Sequence, residues 1–144
     1  MTILKGIGAI LAGMIFIVVS HTATDFILES LGIFPPPSQG FNVTWMVVTA
    51  TIYRSVFTSV GGYITAALAP DRPMRYVVIL GTIGLVLGTI AAIVTIPMKL
   101  GPAWYPIALA VLALPCTWLG GKLRTRRADT SSSNNIRVAK APSL

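Results

Sequence analysis

Four long stretches of the chain consist almost entirely of apolar residues, and short polar or proline-rich segments separate them. The stretches cover residues 4–31, 44–69, 74–96 and 105–119. A transmembrane α-helix needs about 20 mostly apolar residues to cross the hydrocarbon core of a bilayer. The pattern therefore predicts an all-α fold, a four-helix transmembrane bundle that occupies residues 1–127.

Prolines mark the boundaries of these predicted helices. Three consecutive prolines at 35–37 follow the first stretch, a Pro-Asp-Arg-Pro turn at 70–73 separates the second from the third, and Pro97 follows the third. Proline has no backbone N–H to donate and cannot continue a helix without loss. The fourth stretch is short and contains Pro115, so we expect that helix to be kinked.

Positive residues set the expected orientation. If four helices alternate, nearly all the cations before the tail fall on one side of the membrane, and the other side has only Lys99. Cytoplasmic loops carry an excess of Lys and Arg. We therefore expect a multi-pass protein with both termini in the cytoplasm.

The chain changes character after residue 127. Residues 128–144 are rich in Ser, Asn and Ala and show no apolar periodicity, which predicts a disordered cytoplasmic tail. Just before it, four cations stand within six residues: Lys122, Arg124, Arg126 and Arg127. This basic patch either anchors the topology or contacts anionic lipid headgroups or a partner.

Composition supports the membrane interpretation. Hydrophobic residues make up 54% of the chain, charged residues 10%, and the mean hydropathy is +0.79, whereas a soluble domain has about 25% charge. The net charge of +7 would suggest nucleic acid in a soluble protein. Here the cations collect at segment ends, so lipid headgroups are the expected partner and nucleic acid is not. One cysteine, Cys116, and one histidine cannot make an internal disulfide or a Cys/His zinc site, and we predict no cofactor.

Ionisable residues within the first two stretches are the main candidate site. His21, Asp25 and Glu29 are spaced i, i+4, i+8 and share one face of the first helix. Arg54 lies about ten residues inside the second helix, where an unpaired Arg costs roughly 2.5–3.5 kcal/mol on insertion scales. Antiparallel packing brings these groups to similar depth, so we predict an Asp25–Arg54 ion pair with Glu29 at the outer interface.

The second helix carries a polar stripe that includes Thr58, and it permits two interpretations. The hydroxyls bond to neighbouring helices or to their own backbone, which is a structural role. Alternatively, they line a small polar cavity that is open to the outer side and binds a solute or relays protons. His21 would be the titrating group in that case.

Small residues recur on one face of the third helix, at Gly81, Gly84 and Gly88. Gly84 and Gly88 form a GxxxG pair, which lets two helix backbones approach closely. The motif predicts tight packing there, either against another helix of the same chain or against a second copy or a membrane partner.

Two segments carry a resemblance to a known group of proteins. Residues 61–74 read GGYITAALAPDRPM, and residues 104–124 begin with WYPIA and end with LPCTWLGGKLR. This part of the chain resembles a family of small bacterial four-helix integral membrane proteins with no known activity. The resemblance implies the fold and a location in the bacterial inner membrane, and it assigns no functional residue.

The sequence contains no Walker loop, GxSxG or HExxH motif. A non-enzymatic structural, accessory or oligomerising subunit is therefore the first hypothesis. The alternative is a small transporter or channel-like protein with a pocket around His21, Asp25 and Arg54. A lipid-modifying enzyme with His21 as base and Asp25 as its orienting carboxylate is a third hypothesis, and it requires those two side chains to be hydrogen-bonded.

Overall fold

Four α-helices dominate the protein, which is described here by a computed structural model for residues 1–142. They are α1 (Thr2–Ser30), α2 (Thr44–Leu68), α3 (Pro73–Thr95) and α4 (Trp104–Ala139), with a short 3-10 helix at Pro37–Gln39. These described residues contain no strand. The first three helices match the predicted stretches to within two residues at every end, and the all-α class is confirmed.

Three of the helices, α1, α3 and α4, are long and apolar enough to cross a membrane. At 25 residues α2 is long enough, but its arginine and its many hydroxyls lower its hydropathy. The composition of α2 follows from its position, because it packs against all three other helices. Going around the bundle the order is α1, α2, α4, α3, and α2 also touches α3 across the diagonal.

The distribution of small and large apolar residues in this bundle is the reverse of that in a water-soluble bundle. Most of its buried positions are glycine or alanine, and large aliphatic side chains are exposed along every helix. On α2 the outward stripe is apolar, at Val48, Ile52, Val56 and Val60. Since helices in lipid associate through close packing of small residues rather than through hydrophobic burial, this distribution is typical of a membrane protein.

Exposed hydroxyls are hydrogen-bonded within their own helices. Thr49, Thr82, Thr89 and Thr95 each donate to the backbone carbonyl four residues earlier, at 2.7–2.8 Å. A polar group that faces hydrocarbon has no water to bond to. These back-bonds therefore allow threonines to lie on the outer surface of a lipid-facing helix.

Glycines create the closest helix crossings. Gly13 of α1 and Gly61 of α2 face each other: a Cβ on Gly13 would lie 2.7 Å from the Gly61 carbonyl oxygen. Gly62 lies against the backbone of Thr117, and Gly120 lies against the Ser59 carbonyl. These contacts close the end of the bundle that contains Lys5.

The loops at the opposite end pack on one another through aromatic rings. Phe34 is 3% exposed, and its ring centroid lies 4.7 Å from that of Phe41. The Phe41 ring in turn stacks near Tyr105 at 6.1 Å, and the Phe41 N–H donates to the Leu100 carbonyl. The loop after α1 therefore covers the outer ends of α3 and α4.

The C-terminal region differs from the expectation. Instead of ending near residue 119 and giving way to a disordered tail, α4 continues as one helix to Ala139. No proline or glycine occurs between Lys122 and Ala141, and extending an existing helix costs far less than starting one. Pro115 lies inside α4 without ending it. The last two residues of the predicted tail, 143–144, lie outside the described part.

Two matched glycine substitutions on α1 test the packing. We expect Gly13→Ala to destabilise the protein by about 1–3 kcal/mol, because the added methyl group meets the backbone of α2. A Cβ on Gly8 meets nothing within 4 Å, so Gly8→Ala should be neutral or stabilising by up to about 1 kcal/mol. Thermal unfolding in detergent, followed by circular dichroism, measures both. Equal effects of the two variants would contradict the proposed crossing of α1 and α2.

Candidate functional site

An ion pair joins the C-terminal part of α1 to the N-terminal half of α2. The Arg54 guanidinium donates through Nη2 to Asp25 Oδ2, and the Tyr53 hydroxyl donates to Asp25 Oδ1. Both carboxylate oxygens are therefore hydrogen-bonded. It is the only salt bridge within residues 1–142, and it joins the two residues that the sequence predicts to pair.

His21 binds the same turn of α2 by a different route. Its Nε2 lies 3.2 Å from the Arg54 carbonyl oxygen, and the Thr58 hydroxyl donates to that oxygen at 2.7 Å. A carbonyl only accepts hydrogen bonds, so the Nε2 atom carries the proton in this arrangement. His21 therefore hydrogen-bonds to the backbone of Arg54, while Asp25 hydrogen-bonds to its side chain.

Aromatic rings surround this turn of α2. Phe57 has its ring centroid 6.2 Å from that of His21, 6.4 Å from Phe16 and 6.1 Å from Tyr53. The rings pack on one side of the turn that carries Arg54 and shield that side of the ion pair, whose side chains keep 25% and 28% of their surface exposed.

Three cavities meet at Arg54. The first, the central cavity, has a volume of about 320 Å³ and lies among all four helices. The second, the outer vestibule, has about 330 Å³ and is bordered by Asp25, Glu29, Tyr53 and Tyr105. The third, the loop cavity, has about 250 Å³ and lies between α2, α3 and the turn before α4. Arg54 contributes to the wall of each one.

One donor of Arg54 is left without an acceptor. Its Nε atom is buried and has no hydrogen-bond partner among the described residues. A guanidinium has five N–H donors, and an unsatisfied buried donor is unfavourable by roughly 1–3 kcal/mol. The hydrogen bonding of Arg54 is therefore incomplete within the described residues.

The predicted cluster is thus assembled, with one residue set apart. His21, Asp25, Arg54 and Thr58 are linked by hydrogen bonds. Glu29 lies one turn further along α1, where it borders the outer vestibule, and it forms no salt bridge within the described residues.

The glycine face of α3 packs against α4 of the same chain. A Cβ on Gly88 would lie 2.9 Å from the Ala110 Cα, one on Gly84 would lie 3.2 Å from the Ala113 Cβ, and Gly81 faces Leu114 and Thr117. Of the two expected occupants of this face, the neighbouring helix is the one present. A second copy that docks through Gly84 and Gly88 would have to displace α4.

The basic patch lies far from the polar cluster, at the other end of the bundle. Lys122 follows directly on Gly121, which packs against Val77 near the start of α3. Its Nζ lies 4.3 Å from the centroid of the Trp118 ring, and Arg124, Arg126 and Arg127 continue along α4. The patch is therefore a helical surface rather than the start of an unstructured tail.

Sequence reasoning missed two tyrosines of the site. Tyr53 shares Asp25 with Arg54, and Tyr105 borders both the outer vestibule and the loop cavity. The sequence does contain a signal for Tyr53, because it directly precedes Arg54. Two consecutive residues on one helix turn can hydrogen-bond to the two oxygens of one carboxylate. Tyr105 comes from a different segment, and only the fold brings it close.

Two of the predicted site residues bear on the enzyme hypothesis. His21 and Asp25 do not hydrogen-bond each other, so the pair that the enzyme hypothesis requires is not formed. Within residues 1–142 no three His, Cys, Asp or Glu side chains come together in a way that could hold a metal ion.

Comparison of the chain with protein-family models, with curated proteins and with solved structures gives no match. The function is therefore argued from the chemistry of the site.

A charge exchange tests the ion pair. We expect Asp25→Ala and Arg54→Ala each to lower the free energy of unfolding in detergent, toward the lower end of the roughly 3–5 kcal/mol that breaking a buried pair costs. The lower end applies because the two side chains keep 28% and 25% of their surface exposed. The double variant Asp25→Arg/Arg54→Asp should recover much of the loss. Glu29→Gln removes an unpaired carboxylate from the same helix and serves as the control, with a small effect. Stable single variants would contradict the structural role of the pair.

Proposed function

We propose that this chain is a non-enzymatic, multi-pass membrane protein that holds a small ligand in a half-depth pocket beside Arg54, as a transporter-like protein would. The observation that carries the proposal is the meeting of three cavities at one intramembrane arginine. A polar cluster with a purely structural role would be expected to have its donors satisfied and its surroundings filled. At Arg54 a buried donor is free and the surroundings are open.

The shape of the interior favours a carrier over an open channel. The outer vestibule and the loop cavity occupy the half of the bundle that contains Asp25 and Tyr105, and the central cavity extends from Arg54 toward Leu80. In the other half, glycine contacts such as that of Gly62 with Thr117 bring the backbones together. A ligand could reach Arg54 from the outer side, whereas continuous passage would require these crossings to open.

The proposal includes α2 as a fourth membrane span. Its outward stripe of valines and isoleucine suits contact with lipid, and its polar side chains after Thr49 are partly or fully covered by the other helices. Both termini are then cytoplasmic, since Lys5, Arg72, Arg75 and the basic patch share one end of the bundle. We propose the bacterial inner membrane as the location, on the resemblance of residues 61–74 and 104–124, with anionic headgroups contacting the basic patch.

A structural or accessory subunit is the second candidate function. This function is favoured by the ion pair between Asp25 and Arg54, the only salt bridge within residues 1–142, because it joins two different helices. This role and the first share the ion pair, and they differ in whether the cavities beside it admit water and solute.

Cysteine accessibility separates these two candidates. In a Cys116→Ala background, we expect a charged, membrane-impermeant thiol reagent added from the outer side to label Thr58→Cys, because Thr58 borders the central cavity. Thr82→Cys is the matched control, since Thr82 is also a mid-helix threonine but lies on the exposed surface of α3 and should face lipid. The readout is the labelling rate in membrane vesicles of known orientation.

Labelling of Thr58→Cys that is no faster than that of Thr82→Cys would show that water does not reach the cavity. That result would contradict the proposal of a ligand pocket and would favour the accessory-subunit function.

A further inference from the structure

The central cavity is elongated and has one polar end. Its α3 wall extends from Leu80 to Ala91, a distance of about 16 Å at 1.5 Å per residue. His21, Arg54 and Thr58 are the polar residues near the outer end. At about 320 Å³, the cavity is near the lower limit of the roughly 300–1,000 Å³ that small-molecule sites occupy.

The inner end of the same cavity has no polar group that needs a hydrogen-bond partner from a ligand. Thr117 is the polar residue there and is 2% exposed, and its hydroxyl already donates to the backbone of α4, with Ala113 and Leu114 oxygens at 2.8 and 2.9 Å. The remaining inner walls are aliphatic, for example Met14 and Leu80. Only a hydrocarbon segment matches these walls without leaving polar atoms unpaired.

The cavity has a side entrance between α1 and α3. These helices touch in their N-terminal halves, where Gly6 meets Tyr76 and Gly13 meets Leu80. Further along, the cavity separates them. Val18 of α1 and Leu87 of α3 border it and are 57% and 55% exposed, so their side chains form a lateral rim that lies at the height of acyl chains in the proposed membrane placement.

We propose that this cavity binds a single-chain amphiphile taken from the bilayer, with its anionic head oxygens at Arg54 and its hydrocarbon chain along α3. Arg54 borders the cavity and supplies the positive charge for the head group. Neither nearby carboxylate lines the central cavity: Asp25 accepts a hydrogen bond from Arg54 Nη2, and Glu29 borders the outer vestibule. The inference rests on the proposed function and specifies its ligand class.

A photoreactive fatty acid tests the assignment. We expect a diazirine-bearing palmitic acid to label the purified full-length protein, with the modified residues on the facing walls of α1 and α3, such as Ile17 and Leu87. Unlabelled palmitate or lysophosphatidylglycerol should compete, because each presents anionic oxygens on one chain. The matched neutral competitor is 1-hexadecanol, and we expect it to be about tenfold weaker, since it lacks the charge-assisted hydrogen bond.

A steric variant provides the control for folding. Ala91→Phe places a ring at the outer end of the cavity and should reduce labelling about tenfold. Val94→Phe adds the same ring to a position of α3 that is 58% exposed and should leave labelling unchanged. The double variant Asp25→Asn/Arg54→Gln removes both charges without leaving one unpaired, and it should abolish the preference for palmitate over hexadecanol.

Two outcomes would overturn the proposal: competition by hexadecanol as strong as that by palmitate, or equal labelling of Ala91→Phe and Val94→Phe. If either result were found while the thiol reagent labelled Thr58→Cys rapidly, the pocket would still be accessible to water. Only the assignment of an amphiphile as its ligand would then be rejected. Slow access would instead refute the proposed function itself.

Discussion

The charge of Arg54 is the constraint on which the rest of this protein depends. The residue lies ten positions from the start of α2, about 15 Å along the helix. In the proposed membrane placement, a guanidinium at that depth is unfavourable unless it is paired. Asp25 on α1 provides the opposite charge, and Tyr53 holds the second oxygen of that carboxylate. The pairing fixes the level of α1 relative to α2.

The same constraint accounts for the contrast between the two halves of the bundle. Where the helices carry glycines, at Gly13, Gly61, Gly62 and Gly120, their backbones approach closely and leave no room for a ligand. Where they carry the polar cluster, the side chains of Arg54, His21 and Tyr53 hold the helices apart and cavities remain. A membrane bundle needs small residues for close packing. The second helix, α2, has no glycine at the level of Arg54, and the glycines that border the central cavity, Gly84 and Gly88, pack against α4 instead.

Much of this architecture could be predicted from the sequence because it depends on local patterns. Apolar stretches and prolines define the helices, and helical spacing places Asp25 about one turn from the level of Arg54, within reach of its side chain. What could not be predicted depends on contacts between distant segments. The GxxxG motif indicates close packing but does not identify α4 as the neighbour, and the approach of Tyr105 to the site requires the loop packing around Phe41. The tail shows a different limit, since a polar composition without proline or glycine does not prevent a helix from continuing.

The contact between Asp25 and Arg54 in a bilayer is the central claim, and solid-state NMR measures it directly. The protein would be labelled with ¹⁵N at the Arg Nη atoms and ¹³C at the Asp Cγ atoms, in an Asp71→Asn/Asp129→Asn background that leaves Asp25 as the only aspartate. The account predicts strong rotational-echo dephasing of the Asp25 signal in lipid vesicles, because an ion pair keeps nitrogen and oxygen within about 4 Å. A signal from Asp25 that shows no dephasing would contradict it.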